Sequence, residues 1–160
     1  MPSTYTPIAT QTLGSAAASV TFSSIPSTYT DLVLVVNGGA AGVTDMCMRF
    51  NSDTGTNYSR TQLRGTGSAA DSERNTSTSR IVIGSIYTTF TTTAIINIQN
   101  YSNTTTNKTA ISRIGQADGY VIASVGLWRN TAAISTILIN GDGTNLSTGS
   151  TFTLYGIKAA

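Results

Sequence analysis

The chain has 160 residues with nine basic and seven acidic side chains, a charged fraction of 10% against roughly 25% in an average soluble domain. Its polarity comes instead from 29 Thr, 19 Ser and 11 Asn, while the apolar residues, 39% of the chain, are gathered in short β-branched runs. The absence of histidine and the presence of one cysteine, Cys47, exclude imidazole acid–base chemistry, histidine metal sites, an intrachain disulfide and a cysteine zinc cluster.

A net charge of +2 lacks the low-hydrophobicity, high-charge signature of disorder, so the chain is expected to fold as one domain over residues 1–160. Turn residues cut the chain into short runs with the alternation of strands, and helical spacing is nearly absent. Strands are expected at 5–13, 18–22, 30–37, 45–51, 57–64, 79–84, 91–99, 108–114, 119–128, 134–140 and 150–158. In the third, Leu32, Leu34 and Val36 share a face. In the fourth, Met46, Met48 and Phe50 face one way, with Cys47 and Arg49 facing the other. Asn37-Gly38-Gly39, Asp53-Thr54-Gly55 and Asn140-Gly141-Asp142-Gly143 mark turns between them. Between eight and eleven such strands predict an all-β, antiparallel, jelly-roll-like β-sandwich. An immunoglobulin-like sandwich would use fewer strands and a Cys–Trp–Cys signature that is missing here.

Two stretches are expected as loops. Residues 65–78 contain no large apolar side chain and hold much of the scarce charge, and residues 100–107 are similar but shorter. Arg60, Arg64, Arg74 and Arg80 are the nearest approach to a basic stripe, but Asp71 and Glu73 interrupt it, so nucleic acid is not an expected partner. A membrane is not expected either, since the longest apolar run, 32–36, is far shorter than the roughly 20 residues that span a bilayer.

No catalytic constellation stands out, and the chain is read as a non-enzyme. Asp45, Asp53, Asp118 and Asp142 could meet in space as paired carboxylates, yet Asp beside Gly or Thr is ordinarily a turn residue. The stretch 140–145 faintly resembles a calcium loop but lacks the distal Glu, so a hairpin turn is the better reading. No motif calls for a metal or cofactor. Six Asn-x-Ser/Thr sequons occur, about twice the number this composition gives by chance, and they carry no weight without a delivery signal. Cys47 reads as a small buried apolar side chain.

The candidate interface residues are Trp128, Arg129 and Asn130, at the end of a strand, joined by Arg60 and Arg64. Trp and Arg are enriched where protein surfaces meet. For Trp128 the core is the competing destination, because Tyr120, Ile122 and Ser124 share its alternating face.

Four strings give the chain a resemblance. TFSSIPSTYTDLVLVV (21–36), RFNSDTGTNYS (49–59), GLWRNTAAI (126–134) and GSTFTLYGIK (149–158) resemble tailed-phage virion proteins, both capsid decoration (cement) proteins and terminal domains of tail fibres. Residues 38–44 are smaller and less charged than that resemblance leads one to expect. The resemblance implies a structural protein of the virion, a homotrimer that binds capsid or other virion proteins; a fibre domain binding host-surface glycans is the alternative. It carries over no functional residue. The N-terminal segment has no basic and apolar export signal, whereas the Thr- and Asn-rich composition suits an outer surface. Assembly in a host cytoplasm into a released virion reconciles the two.

Overall fold

The computed structural model describes residues 4–88 and 92–158. Among them the strands are β1 (Tyr5–Thr12), β2 (Ser19–Phe22), β3 (Asp31–Gly38), β4 (Thr44–Phe50), β5 (Tyr58–Gly65), β6 (Ala70–Thr78), β7 (Ile81–Ile86), β8 (Thr92–Gln99), β9 (Lys108–Gln116), β10 (Tyr120–Trp128), β11 (Ile137–Gly141) and β12 (Thr151–Ile157). Eleven coincide with the expected runs to within three residues at either end; residue 91, where one was expected to begin, lies outside the described residues.

All pairing is antiparallel, in an eight-stranded sheet of order β1-β12-β3-β8-β9-β10-β5-β6 and a four-stranded sheet of order β2-β11-β4-β7. The order reflects three nested arms. The arm β3-β4-β5 runs from the large sheet to the small one and back. The arm β12-β11-β10 pairs along one side of it, and β8-β7-β6 along the other. This wrapping of long antiparallel arms makes the molecule a sandwich of jelly-roll type.

The inward faces follow from alternation. Leu32, Leu34 and Val36 on β3, Ile96 and Ile98 on β8, and Phe152 and Leu154 on β12 meet Met46, Met48 and Phe50 on β4 and Ile137 and Ile139 on β11; all are essentially inaccessible to water. Cys47, on the other face of β4, is equally buried, and burial pushes its thiol up to about 11. On β10 the inward position between Ser124 and Trp128 is Gly126. A side chain there would collide with Ile81 of β7, whose atoms would lie 2.6–3.0 Å from its Cβ, so the glycine lets the two sheets close.

One irregularity is repaired by polar groups. The β4–β7 register shifts between Met46 and Cys47, leaving Ile83 without an opposite residue and the next residue, Gly84, at φ +153°. The Ile83 carbonyl lies 3.5 Å from the buried hydroxyls of both Ser112 and Ser124, which are themselves 2.6 Å apart. A two-hydroxyl relay therefore serves the bulge in the middle of an apolar core.

The expected loop at 65–78 requires correction. Apart from a turn closed by Thr66 N–H donating to the Ala69 carbonyl, it is strand: β5 runs to Gly65 and β6 occupies Ala70–Thr78. β6 lies at the sheet edge with neither face covered, so no apolar periodicity marks it, and its charges are what a protected edge carries. The stretch 100–107 is a turn anchored in the core: Tyr101 is fully buried with its hydroxyl donating to the Pro26 carbonyl, and Asn103 Oδ1 accepts the Thr105 and Thr106 N–H groups.

Removing both hydroxyls, Ser112→Ala with Ser124→Ala, is expected to cost about 1–3 kcal/mol, the penalty of a buried unsatisfied carbonyl, and either single change less than half of that. Urea denaturation of the three variants measures this; two single costs that sum to the double cost would mean that the hydroxyls do not stand in for one another at the carbonyl.

Candidate functional site

The five sequence-predicted interface residues do not form one surface. Trp128 is 1% exposed. Its indole packs 5.6 Å from Phe50 and stacks on Tyr58 at 6.2 Å and 15°, and its Nε1 donates to Asp53 Oδ2 at 2.7 Å. This removes Trp128 from any free face, for the reason visible in its alternation with Tyr120 and Ile122. Arg60 also faces inward and is buried: it pairs with Glu73 at 2.9 Å, donates to Asn75 Oδ1 at 3.0 Å, and reaches Gln62. Arg64 is exposed and held to Asp71 at 2.6 Å. The exposed Arg129 donates to Ser59 Oγ and to the Thr56 and Tyr58 carbonyls, while Asn130 Oδ1 accepts the Ala132 N–H in a turn.

Around Trp128 the side chains serve the loops at one end of the sandwich. Asp53 gathers three donors, the Trp128 indole, the Asn57 amide and the Gly55 backbone N–H. The Trp128 bond is the largest cause holding its carboxyl below the usual range, with the Asn57 bond next. Tyr58 accepts the Phe50 N–H at 3.1 Å, and burial pushes its phenol up to about 12. Lys108, opposite Trp128 in the ladder and buried, donates to the Thr106 and Thr131 carbonyls at 2.6 and 3.0 Å, and burial lowers its pKa. Asn51, at φ 50°, spans the same end: its side chain accepts the Ser135 and Thr136 N–H groups and donates to the Ala133 carbonyl. These groups answer one another, which makes the cluster a clasp for loops.

The other carboxylates considered as a possible pair are dispersed. Asp45 accepts the Ser85 hydroxyl, Asp142 pairs with Arg80 at 2.5 Å, and Asp118 lies in the β9–β10 turn. Among the described residues, no group of three His, Cys, Asp or Glu side chains could hold a metal ion.

Two surface features were not anticipated. Leu63, Val121, Val125 and Ile111 are 66, 61, 50 and 42% exposed and lie on the outward face of β5, β10 and β9. The available signal was that 119–128 carries apolar side chains on both alternating faces. The second is an open groove of about 780 Å³ at the end of that face, with Thr66, Thr93, Gln116, Asp118 and Val121 among its lining. Gly65 and Gly115 flank Val121 there and leave its sides bare.

Fold and surface together define an antiparallel β-sandwich with its polar side chains engaged in loop contacts and an apolar sheet face open to solvent. No family model matches the chain, and no curated protein matches it. Among solved structures it is similar to galectin LEC-6 of Caenorhabditis elegans, at 6% identity and a TM-score of 0.37, over 91% of this chain and 94% of that one. It is also similar to alginate lyase Aly36B, at 12% identity and a TM-score of 0.35, over 92% of this chain and 77% of the lyase. A third is the coat protein of Tobacco streak virus, at 12% identity and a TM-score of 0.24, over 100% and 90% of the two chains. At these scores none of the three carries an argument about what this chain binds or does.

Asp53 gives the clasp a pH dependence. A carboxylate depressed in the folded state contributes stability above its unfolded value, near 3.8, and that contribution is lost as pH falls through the folded value. Asp53→Asn should therefore be less stable than the wild type at about pH 7, with the gap narrowing steadily below about pH 4. Urea titrations across that range test it; a gap independent of pH would mean that the carboxylate charge is not what the clasp depends on.

Proposed function

We propose that the chain is a structural protein of a tailed-phage virion, a decoration protein that docks as a homotrimer on the assembled head and stabilises it. The observation that carries this reading is the commitment of the chain's polar chemistry to its own architecture. Of seven acidic side chains, six are engaged: Asp31 with the Asn100 N–H, Asp45 with Ser85, Asp53 with Trp128, Asp71 with Arg64, Glu73 with Arg60, and Asp142 with Arg80. Groups spent on loops and edges support a building block better than a reaction centre. The resemblance of four strings to phage virion proteins, and a surface that offers hydroxyls and aliphatic groups in place of charge, support the same reading.

A decoration protein binds the assembled shell and not dispersed subunits, so linkage raises the stability of the shell by an amount set by affinity and concentration. A trimer engaging three neighbours gains further from effective concentration. One observation favours a second reading, a tail-fibre domain that binds host-surface glycan: the groove beside Val121 is of ligand size and offers hydroxyl, amide and carboxylate groups from Thr66, Thr93, Gln116 and Asp118.

Heating phage particles with and without the protein tests the first reading. Decorated particles should rupture at the higher temperature, with little dependence on salt because so few charges are available to be screened. Equal rupture temperatures would remove the decoration reading and leave the fibre domain in front. Light scattering at micromolar concentration should return a trimer; a monomer mass alone would remove the trimer.

A further inference from the structure

We propose that the outward face of the large sheet over β5, β10 and β9 is a docking surface for a protein partner with an aliphatic centre and carboxylates at its margin. Single exposed apolar residues are ordinary, but these are contiguous. The ladder places Ala123 between Leu63 and Arg113, Val125 between Thr61 and Ile111, and Val121 two residues along the same strand. Residues directly opposite on such a face have Cβ atoms about 4.5–5.5 Å apart, so the four aliphatic side chains surround Ala123 as one patch. Four of the six exposed large apolar side chains among the described residues lie here. At the far edge of the same sheet the outward face carries hydroxyls, where Thr10 and Thr12 face Thr153 and Thr151 across β1 and β12. A chain with 29 threonines has placed Leu, Ile and Val on this face instead.

Apart from Asp118 in the turn at its end, the charges on this face are basic. Arg113 lies beside Ala123, Arg74 lies opposite Thr61, and Arg129 reaches Ser59 at the margin. Alternation along β6 turns Asp71 and Glu73 to the opposite side, where Arg64 and Arg60 take them up. Among the described residues, Arg74 and Arg113 have no carboxylate within ion-pair distance. Charge complementarity therefore asks for carboxylates on the partner. A second copy of this chain is a poor occupant. Its own face would set arginine against arginine, and Asp118 is the one acidic side chain it could offer that is not already engaged.

The face can be probed on the intact protein by methyl NMR with two synthetic peptides, acetyl-Glu-Val-Leu-Val-Glu-amide and acetyl-Lys-Val-Leu-Val-Lys-amide. The acidic peptide should shift the methyls of Leu63, Ile111, Val121 and Val125 and bind at least about threefold more tightly than the basic one, the scale of an exposed ion pair. Arg113→Gln should erase that preference, and Val125→Thr should weaken both peptides; both positions are exposed, and Arg74→Gln provides a second charge variant. Equal binding of the two peptides, or shifts scattered away from these methyls, would overturn the proposal. A change of oligomeric mass caused by Val125→Thr would reassign the face to a second copy and overturn it as well. Co-flotation with phosphatidylserine–phosphatidylcholine vesicles that is lost in Arg113→Gln would overturn it in favour of a membrane. Failure here leaves the decoration reading standing, since particle heating decides that separately.

Discussion

A four-stranded sheet laid on an eight-stranded one leaves part of the larger sheet's inner face, and the whole of its outer face, to be handled by other means. Where the smaller sheet covers it, inward positions are aliphatic and dry, and burial supplies the dominant stabilisation. At β5 the inward positions become Arg60 and Gln62, and they are satisfied by Glu73 and Asn75 of β6. At β6 neither face is covered, and the strand is held by backbone pairing, cross-strand ion pairs and side-chain hydrogen bonds to β5.

The same constraint explains why so few charges are needed and where they go. A protein with 10% charged residues has little to spend on general surface solvation, so its charges mark places where geometry would otherwise fail. Examples are the open edge at β6, the clasp around Asp53 and Trp128, and the Arg80–Asp142 pair beside Cys47. The bulge at Ile83 is the uncharged version of this economy: two hydroxyls in the core serve one carbonyl. Threonine lines the outer face at β1 and β12 at no electrostatic cost, while the aliphatic patch around Ala123 stands exposed to solvent.

A stiff sandwich with interlocked arms suits a part that must hold its shape while presenting a surface. The outer strands of the arms pair across long stretches of sequence, and the loops at the Trp128 end are tied to one another by side chains from three separate segments. Such a framework keeps a flat face flat, which favours docking against an equally rigid partner, where little ordering is required on binding.

Much of the fold was legible in the sequence because its signals are local. Alternation with period two and Gly/Asn/Asp punctuation placed eleven strands and the inward positions of β3, β4 and β10, since one covered face imposes that period whatever the sheet order. β6 was invisible for the converse reason: with no covered face there is no period to read. The candidate site fared worse. Trp128 and Arg60 belong to the inside, Arg64 and Arg129 to different sides of the large sheet, and that sorting depends on register and on where the smaller sheet ends. Composition alone determined that this is a low-charge, histidine-free chain. Only the tertiary structure decided that Leu63 joins Ile111, Val121 and Val125 in one patch, because β5 is brought beside β10, a strand far away in sequence, by pairing, which no local pattern encodes.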